Sequence, residues 1–196
     1  MCGFVAIYSS VQFQFLPGIV NSMTDTLSHR GPDDYGYAFI SPQYQITWRE
    51  DKPAPIVSSG VAMGHRRLSI LDLSAAGRQP FVSLDKRFWM VYNGEVYNYR
   101  ELRDELRAKG YSFLTSTDTE VVLAAYQEWG KGCLNKFNGM WAMIIWDNMT
   151  RTLLASRDRF GVKPLYYCKN NGQWIFASEI KALLRYPDFK AEPNKS

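Results

Sequence analysis

Residues 140–177 read MWAMIIWDNMTRTLLASRDRFGVKPLYYCKNNGQWIFA, and they carry the strongest signal of fold class in the chain. Short apolar and aromatic runs at Met140–Asp147, Thr152–Ser156, Leu165–Cys168 and Trp174–Ala177 are typical of strands, and turn residues separate them. Because these strands follow one another at hairpin-like intervals, they favour an antiparallel sheet over a parallel one.

The N-terminal half adds strands of the same kind. The run from Phe4 to Tyr8 is short, apolar and predicted to be a buried strand. Tyr37–Ile40 and Gln45–Trp48 predict a hairpin, and further strands are expected at 61–64 and 88–92. The last of these is predicted to stop at Asn93-Gly94, since Asn-Gly is a common turn dipeptide.

Helical signals are fewer and lie between the strands. The clearest helix starts at the capping box Thr117-x-x-Glu120. The other predicted helices are Pro17 to about Leu27, Arg100–Lys109 (ended by Gly110) and Glu179–Leu184. Eight or more strands with three or four helices predict an α+β protein, in which helices cover layered antiparallel sheets.

Composition excludes several functional classes. The chain has 196 residues, 46% of them hydrophobic, and a net charge of +4 without a clustered basic stripe, which argues against a nucleic-acid partner. No apolar run approaches the ~20 residues of a membrane span, and the first ten residues lack the positive charge of a signal peptide. Three widely spaced cysteines without a CxxC pair predict neither a zinc site nor a disulfide framework. A cytoplasmic location and no membrane partner are therefore expected.

The N-terminus Met1-Cys2-Gly3 is the strongest candidate for chemistry. If Met1 is removed, Cys2 carries a free α-amine beside its own thiol. An α-amine typically has a pKa of roughly 7.7–8.0 and a thiol about 8.5, so the amine can take the thiol proton near neutral pH. One residue then supplies both nucleophile and base, as an N-terminal threonine does.

Further motifs along the chain give this reading its specificity. The chain resembles the class II glutamine amidotransferase family, and most of all the glutaminase half of glutamine-hydrolysing asparagine synthetases. The resemblance runs from Cys2 to about Arg185. It rests on Cys2-Gly3-Phe4, HRGPD (29–33), RLSI (67–70), NGEVYN (93–98), STDTE (116–120), GMWA (139–142), RDRFGVKPLYY (157–167) and FASEIKALL (176–184).

The resemblance implies an N-terminal nucleophile hydrolase fold, which is a four-layer αββα sandwich of two antiparallel sheets. It implies that residues 2–185 form the amidotransferase domain and that 186–196 are a linker or tail toward a missing C-terminal synthetase domain. No cofactor or metal is expected in this domain, because ATP and Mg²⁺ would bind only in the synthetase domain. The implied partners are L-glutamine and an ATP-dependent synthetase domain, in cis or in trans.

The family's site residues map onto matching positions. Cys2 would attack the side-chain amide of glutamine and form a glutamyl thioester, while Asn93 and Gly94 would form the oxyanion hole. Arg67 would bind the substrate α-carboxylate, because a guanidinium fits a carboxylate bidentately, and Asp118 would receive the α-ammonium. The same resemblance places Leu68, Ser69, Ile70, Leu71 and Glu95 around the substrate, and it lets Arg30 support the loop of the nucleophile.

Plainer readings of these residues stay open at this point. Asn93-Gly94 could be only a turn, and Asp118 could serve only the first turn of its helix. A shift of one residue would select Arg66 rather than Arg67. His29 and His65 are interpreted as structural, and Cys133 and Cys168 as core residues. At the level of the whole domain, the alternatives are a non-catalytic interaction module that retains Met1, the glutaminase half of a different amidating synthetase, and a cysteine peptidase.

Overall fold

A computed structural model describes residues 1–15, 17–40, 45–48, 57–69, 77–187 and 189. The strands are β1 Gly3–Phe15, β2 Asp34–Ile40, β3 Gln45–Trp48, β4 Val57–Arg67, β5 Phe81–Val82, β6 Phe88–Val96, β7 Gly139–Asp147, β8 Thr152–Arg157, β9 Tyr166–Asn170 and β10 Gln173–Ala177. The helices are α1 Pro17–Asp25, α2 Tyr99–Ala108, α3 Asp118–Trp129 and α4 Ile180–Leu183, with a 3₁₀ helix at Gly130–Asn135.

The strands form two sheets in which every pairing is antiparallel. The larger sheet has the order β3-β2-β4-β1-β10-β9, and the smaller has the order β5-β6-β7-β8. In the larger sheet Gly3 pairs with Arg66 and Asp34 pairs with Arg67, so the N-terminus lies beside the end of β4. In the smaller sheet Asn93 and Gly94 pair with Ala142 and Trp141.

Alternation along the strands separates three layers of core. On β1, Phe4 and Ala6 face the other sheet, whereas Val5 and Ile7 pack against the side covered by α1 and α4. On β6, Trp89 and Val91 face inward, and Phe88, Met90 and Tyr92 pack under α2 and α3. Both faces of these strands are buried, which is why their sequences are nearly continuous apolar runs. The expected αββα sandwich is therefore the observed architecture.

The helix boundaries follow from local chemistry. Gly110 has φ +96°, and it ends α2 with the N–H of Tyr111 bonded to the carbonyl of Leu106, as in a Schellman motif. Thr117 caps α3 by accepting the N–H of Glu120. The reciprocal half of the predicted capping box is missing, because the Glu120 carboxylate accepts from the N–H groups of Leu114 and Thr115 instead.

The predicted turn at Asn93-Gly94 is wrong. β6 continues through both residues to Val96, and Gly94 is not among the described residues with positive φ. A Cβ on Gly94 would lie 2.6 Å from the carbonyl oxygen of Met140 and 2.6 Å from the ring of Tyr92. Gly94 is thus required by close packing within a sheet and not by turn geometry, and tertiary pairing overrides the local preference.

Of the two remaining cysteines, Cys133 is a core residue as predicted, whereas Cys168 is only partly buried. Cys133 is fully buried under the smaller sheet, and Cys168 is half-buried against the core beneath α1 and α4. Burial raises the pKa of each thiol, that of Cys133 to about 12. Within the described part of the chain, no helix has the length and apolar character needed to cross a bilayer.

Candidate active site

A cavity of about 190 Å³ opens where the two sheets meet the N-terminus. Its walls come from the end of β4, the middle of β6, the start of α3 and the two segments that precede β5 and β9. The lining residues are Met1, Cys2, Arg67, Leu68, Gly77, Gln79, Tyr92, Asn93, Gly94, Glu95, Thr117, Asp118, Thr119 and Lys163. Residues from distant parts of the sequence therefore converge on Cys2.

Cys2 is held from two sides. Its Sγ lies 3.4 Å from the N–H and 3.7 Å from the carbonyl oxygen of Leu68, and its carbonyl accepts from Arg30 Nε at 3.0 Å. Arg30 also pairs with Glu179 at 2.8 Å, which anchors the nucleophile to α4. Burial raises the pKa of the Cys2 thiol, although the Leu68 N–H and nearby positive charges oppose that shift. Forming the thiolate near neutral pH therefore requires a base close to the sulfur.

The segment HRGPD explains how the end of β4 is placed. A Cβ on Gly31 would clash with the backbone of Arg66, so the loop can pack on that strand only if residue 31 is glycine. Asp33 donates its N–H to the Arg67 carbonyl at 3.1 Å, and its carboxylate accepts the N–H of Ser69 at 2.8 Å. The loop thus holds the backbone on both sides of Leu68, which contacts the sulfur.

Arg67 and Arg66 point in different directions. Arg67 is 7% exposed and lines the cavity, where its guanidinium lies so close to Gly77 that a Cβ there would clash with it. Arg66 pairs with Asp25 and stacks on the ring of Tyr35, 4.9 Å from its centroid, outside the cavity. The cavity therefore contains the arginine at position 67, as the resemblance predicts.

Asn93 and Gly94 line the cavity from the edge of β6. Asn93 is 2% exposed, and its buried Nδ2 has no hydrogen-bond partner among the described residues. Along a strand, alternate N–H groups point the same way. The N–H groups of Tyr92 and Val96 reach side chains beyond this edge, so the N–H of Gly94, between them, points toward the cavity. The cavity thus holds two hydrogen-bond donors, the unpaired side-chain amide of Asn93 and the backbone N–H of Gly94.

Asp118 serves its helix and the cavity together. It is the first residue of α3, and its Oδ2 accepts from the Tyr92 hydroxyl at 2.8 Å and the Val96 N–H at 3.1 Å. Burial raises the pKa of this carboxyl, while the hydrogen bonds from Tyr92 and Val96 lower it. Glu95 lies in the same cavity, and burial and the charge of Asp118 raise its pKa. Two carboxyl groups in one small cavity favour a bound cation.

The structure adds cavity residues that the sequence analysis did not select. Gln79 accepts the Tyr92 N–H at 2.6 Å, and Gly77 makes room for Arg67. Tyr92 binds Asp118, and Lys163 enters from the segment before β9. Lys163 lies inside the RDRFGVKPLYY motif, which was a signal for this position. Gly77 and Gln79 lie in none of the motifs that carry the resemblance.

The remaining predicted site residues have different outcomes. Leu68 lines the cavity, whereas Ser69 lies beside it and is not among its lining residues. Ile70 and Leu71 lie outside the described residues.

Neither histidine lines the cavity. His29 is on the surface, where it pairs with Glu179 at 3.0 Å. His65 is fully buried, its Nε2 lies 3.1 Å from the Tyr92 carbonyl, and burial lowers its pKa to about 4. A neutral imidazole behind the site is a structural group, which agrees with the interpretation from sequence.

His65 makes a testable contribution to the pH dependence of stability. Its pKa is about 4 in the folded protein and about 6.5 when unfolded, so the unfolded chain binds the proton first. Its contribution is complete above pH 6.5, and about 2–3 kcal/mol is lost as the pH falls toward 4. Urea unfolding at pH 7 and pH 4.5 should show a smaller difference for His65→Gln than for the wild type. Equal differences would contradict a buried, neutral His65.

Comparison with known proteins gives a consistent result. Residues 1–196 match the family described as glutamine amidotransferase domain. The chain is 41% identical over 179 residues to asparagine synthetase [glutamine-hydrolyzing] 3 of Bacillus subtilis (strain 168), covering 90% of this chain and 26% of that protein. It is 37% identical over 190 residues to putative asparagine synthetase [glutamine-hydrolyzing] 2 of Methanocaldococcus jannaschii, covering 89% and 33%.

A solved structure shares the fold. Glutamine phosphoribosylpyrophosphate amidotransferase from B. subtilis, complexed with ADP and GMP, superposes with a TM-score of 0.79 at 22% identity, covering 94% of this chain and 43% of that one. The prediction of a four-layer αββα sandwich of two antiparallel sheets is thereby confirmed. The chain spans about a quarter to a third of the length of the two synthetases that it matches.

Proposed function

The chain belongs to the glutamine amidotransferase domain family, and on that basis we propose that it hydrolyses L-glutamine to glutamate and ammonia through a thioester at Cys2. It is homologous to the glutaminase part of glutamine-hydrolysing asparagine synthetases. The assignment of each site residue rests on the geometry of the cavity together with the resemblance between motifs.

One observation carries the proposal: the cavity complements a free amino acid with an amide side chain. Arg67 at one wall suits an α-carboxylate, and Asp118 with Glu95 suits an α-ammonium. Cys2 and the orphaned Nδ2 of Asn93 lie in the same cavity, where an amide carbonyl would be attacked. A glutamine within a peptide lacks both charges, so the site selects the free amino acid and disfavours peptidase activity.

The reaction needs the α-amine of Cys2, so Met1 must be removed first. The amine takes the thiol proton, sulfur attacks the amide carbon, and the negative charge on oxygen is bound by Asn93 Nδ2 and the Gly94 N–H. The C–N bond then breaks, and the amine returns its proton to the leaving ammonia. Water cleaves the thioester by the same route, which releases glutamate and restores the thiol.

The names of the relatives support a proposal for the destination of the ammonia. Two of them are named as glutamine-hydrolysing asparagine synthetases, so an ATP-dependent synthetase that makes asparagine in the cytoplasm is the proposed partner. A 36% identical relative in Penicillium rubens is named amidase chyE, and it keeps open a different amidating partner. Residues 2–185 are the proposed catalytic domain, with 186–196 leading to the synthetase domain. In this proposal ATP and Mg²⁺ bind in the synthetase domain.

Product release from free glutamine tests the proposal. Protein shown by intact mass to have lost Met1 should release glutamate and ammonia from L-glutamine, and not from N-acetylglutamine amide, which lacks both charges. The glutamine analogue 6-diazo-5-oxo-L-norleucine should stop turnover and leave one adduct on the Cys2 peptide. Absence of turnover in Met1-free protein would favour a non-catalytic module, and turnover in protein that retains Met1 would contradict the role of the amine.

A further inference from the structure

The segment RDRFGVKP before β9 reverses the usual distribution of charged and apolar side chains. Phe160 is 93% exposed and Val162 is 56% exposed, whereas Lys163 is 6% exposed and lines the active-site cavity. Burial of apolar groups favours the opposite arrangement, and lysine is almost never buried unless a partner compensates its charge. Other interactions in the loop must therefore hold the Lys163 side chain at the cavity.

Hydrogen bonds supply these interactions. The Asp158 carboxylate accepts four backbone N–H groups, from Trp141, Phe160, Val162 and Lys163, at 2.9–3.3 Å. Arg157 binds the Lys163 carbonyl with its Nε at 2.8 Å. These bonds fix the backbone on both sides of the lysine, so the position of its side chain at the cavity is built into the loop.

The Lys163 ammonium lies at the active-site cavity without a partner among the described residues. It makes no hydrogen bond or ion pair with any residue that the structure describes, yet its charge acts on both Cys2 and Glu95. Both of these groups are partly buried, and burial disfavours their charged forms. Because the lysine ammonium is a compact charge on a flexible stem, it can stabilise an anion on either side of it.

We propose that Lys163 is a positioning residue that supplies a fixed positive charge to the Cys2 thiolate and the Glu95 carboxylate. This inference deepens the proposed function and rests on the same site. Other charged or titratable groups also face Cys2 or share its cavity, so the effect of Lys163 has to be separated from theirs; they are Arg30, Arg67, Tyr92, Asp118 and the amino terminus.

The rate of Cys2 alkylation against pH measures this effect without glutamine turnover. Iodoacetamide adducts on the Cys2 peptide, counted by mass spectrometry, are distinguished from those on Cys133 and Cys168. Lys163→Met should raise the apparent pKa of Cys2, because a positive charge that stabilises the thiolate is lost. Lys163→Arg should restore it, and the exposed control Lys131→Met should leave it unchanged. High salt should reduce the difference between wild type and Lys163→Met.

Each outcome decides the question. A folded Lys163→Met protein that titrates like the wild type would overturn the proposal, and so would a shift that Lys163→Arg does not reverse, since shape would then be responsible. If Lys163→Met does not fold, Lys163→Gln is measured with the same expectation. Loss of glutamine hydrolysis in the wild type would refute the proposed function alone, because alkylation does not depend on it. Where turnover is present, the apparent pKa of the acidic limb in the pH profile of kcat/KM should also be higher in Lys163→Met.

Discussion

Replacement of Cys2 by alanine is expected to abolish glutamine hydrolysis while the fold is retained. The sulfur is the only group in the cavity that the mechanism uses as a nucleophile, and loss of a nucleophile lowers kcat by roughly 10³-fold or more. Cys2 is half-buried, and the hydrogen bonds of its sulfur to described residues go only to the Leu68 backbone, so the substitution removes few interactions of the side chain. Glutamate release and thermal unfolding, measured on the same preparation, check the two halves of this prediction.

Cys168→Ala is the matched control for Cys2→Ala. Cys168 is also half-buried and free, and it lies on β9 away from the cavity. Its substitution should leave turnover unchanged and remove no adduct with the diazo analogue. Residual activity of Cys2→Ala near the level of the parent would show that another group attacks the substrate, and the thioester mechanism would have to be abandoned.

Replacement of Arg67 by alanine should raise KM for glutamine and lower kcat/KM by roughly 100-fold. The guanidinium is buried at the cavity wall, where a charge-assisted bidentate contact to a carboxylate is worth about 3 kcal/mol. A smaller effect on kcat is expected, since the α-carboxylate is bound equally in the ground state and the transition state. Steady-state kinetics with free glutamine measures both constants.

Arg66→Ala separates this contact from a general effect of positive charge. Arg66 is the adjacent residue and carries the same charge, but it pairs with Asp25 on α1 and lies outside the cavity. Its removal should leave KM unchanged, apart from a small loss of stability from an exposed ion pair. If Arg66→Ala raised KM and Arg67→Ala did not, the alignment of RLSI with the substrate would be shifted by one residue.

The Arg67 prediction and the Lys163 proposal test different parts of one electrostatic arrangement. Arg67 and Lys163 bring positive charge to the same cavity as Asp118 and Glu95, so the site pairs two basic with two acidic side chains around one thiol. A zwitterionic ligand can pair its carboxylate with the basic side chains and its ammonium with the acidic ones. A ligand with only one of these charges would leave either the basic or the acidic side chains unpaired. The proposed selectivity for a free amino acid would therefore come from the whole set of charges and not from Arg67 alone.

Local sequence patterns predicted the strands and helices well where burial is regular. The apolar runs of β1, β6 and β7 identify strands covered on both sides, and Gly110 follows the end of α2 with the positive φ of a helix terminator, as predicted. Local patterns failed at Asn93-Gly94, because a turn dipeptide was drawn into β6 by pairing with β7. The pairing partner lies nearly fifty residues away, so no window around the dipeptide contains that information.

The amino-acid sequence alone was sufficient to predict the fold class and the family and to propose the chemistry of Cys2, since those depend on residue type, periodicity and motif order. The three-dimensional arrangement was needed to distinguish Arg67 from Arg66, to show that Asp118 serves both its helix and the cavity, and to bring Gly77, Gln79 and Lys163 into the site. These outcomes depend on which atoms become neighbours after the sheets pack. Charge and hydrogen-bonding interactions act over a few ångströms in space, whatever the separation along the chain.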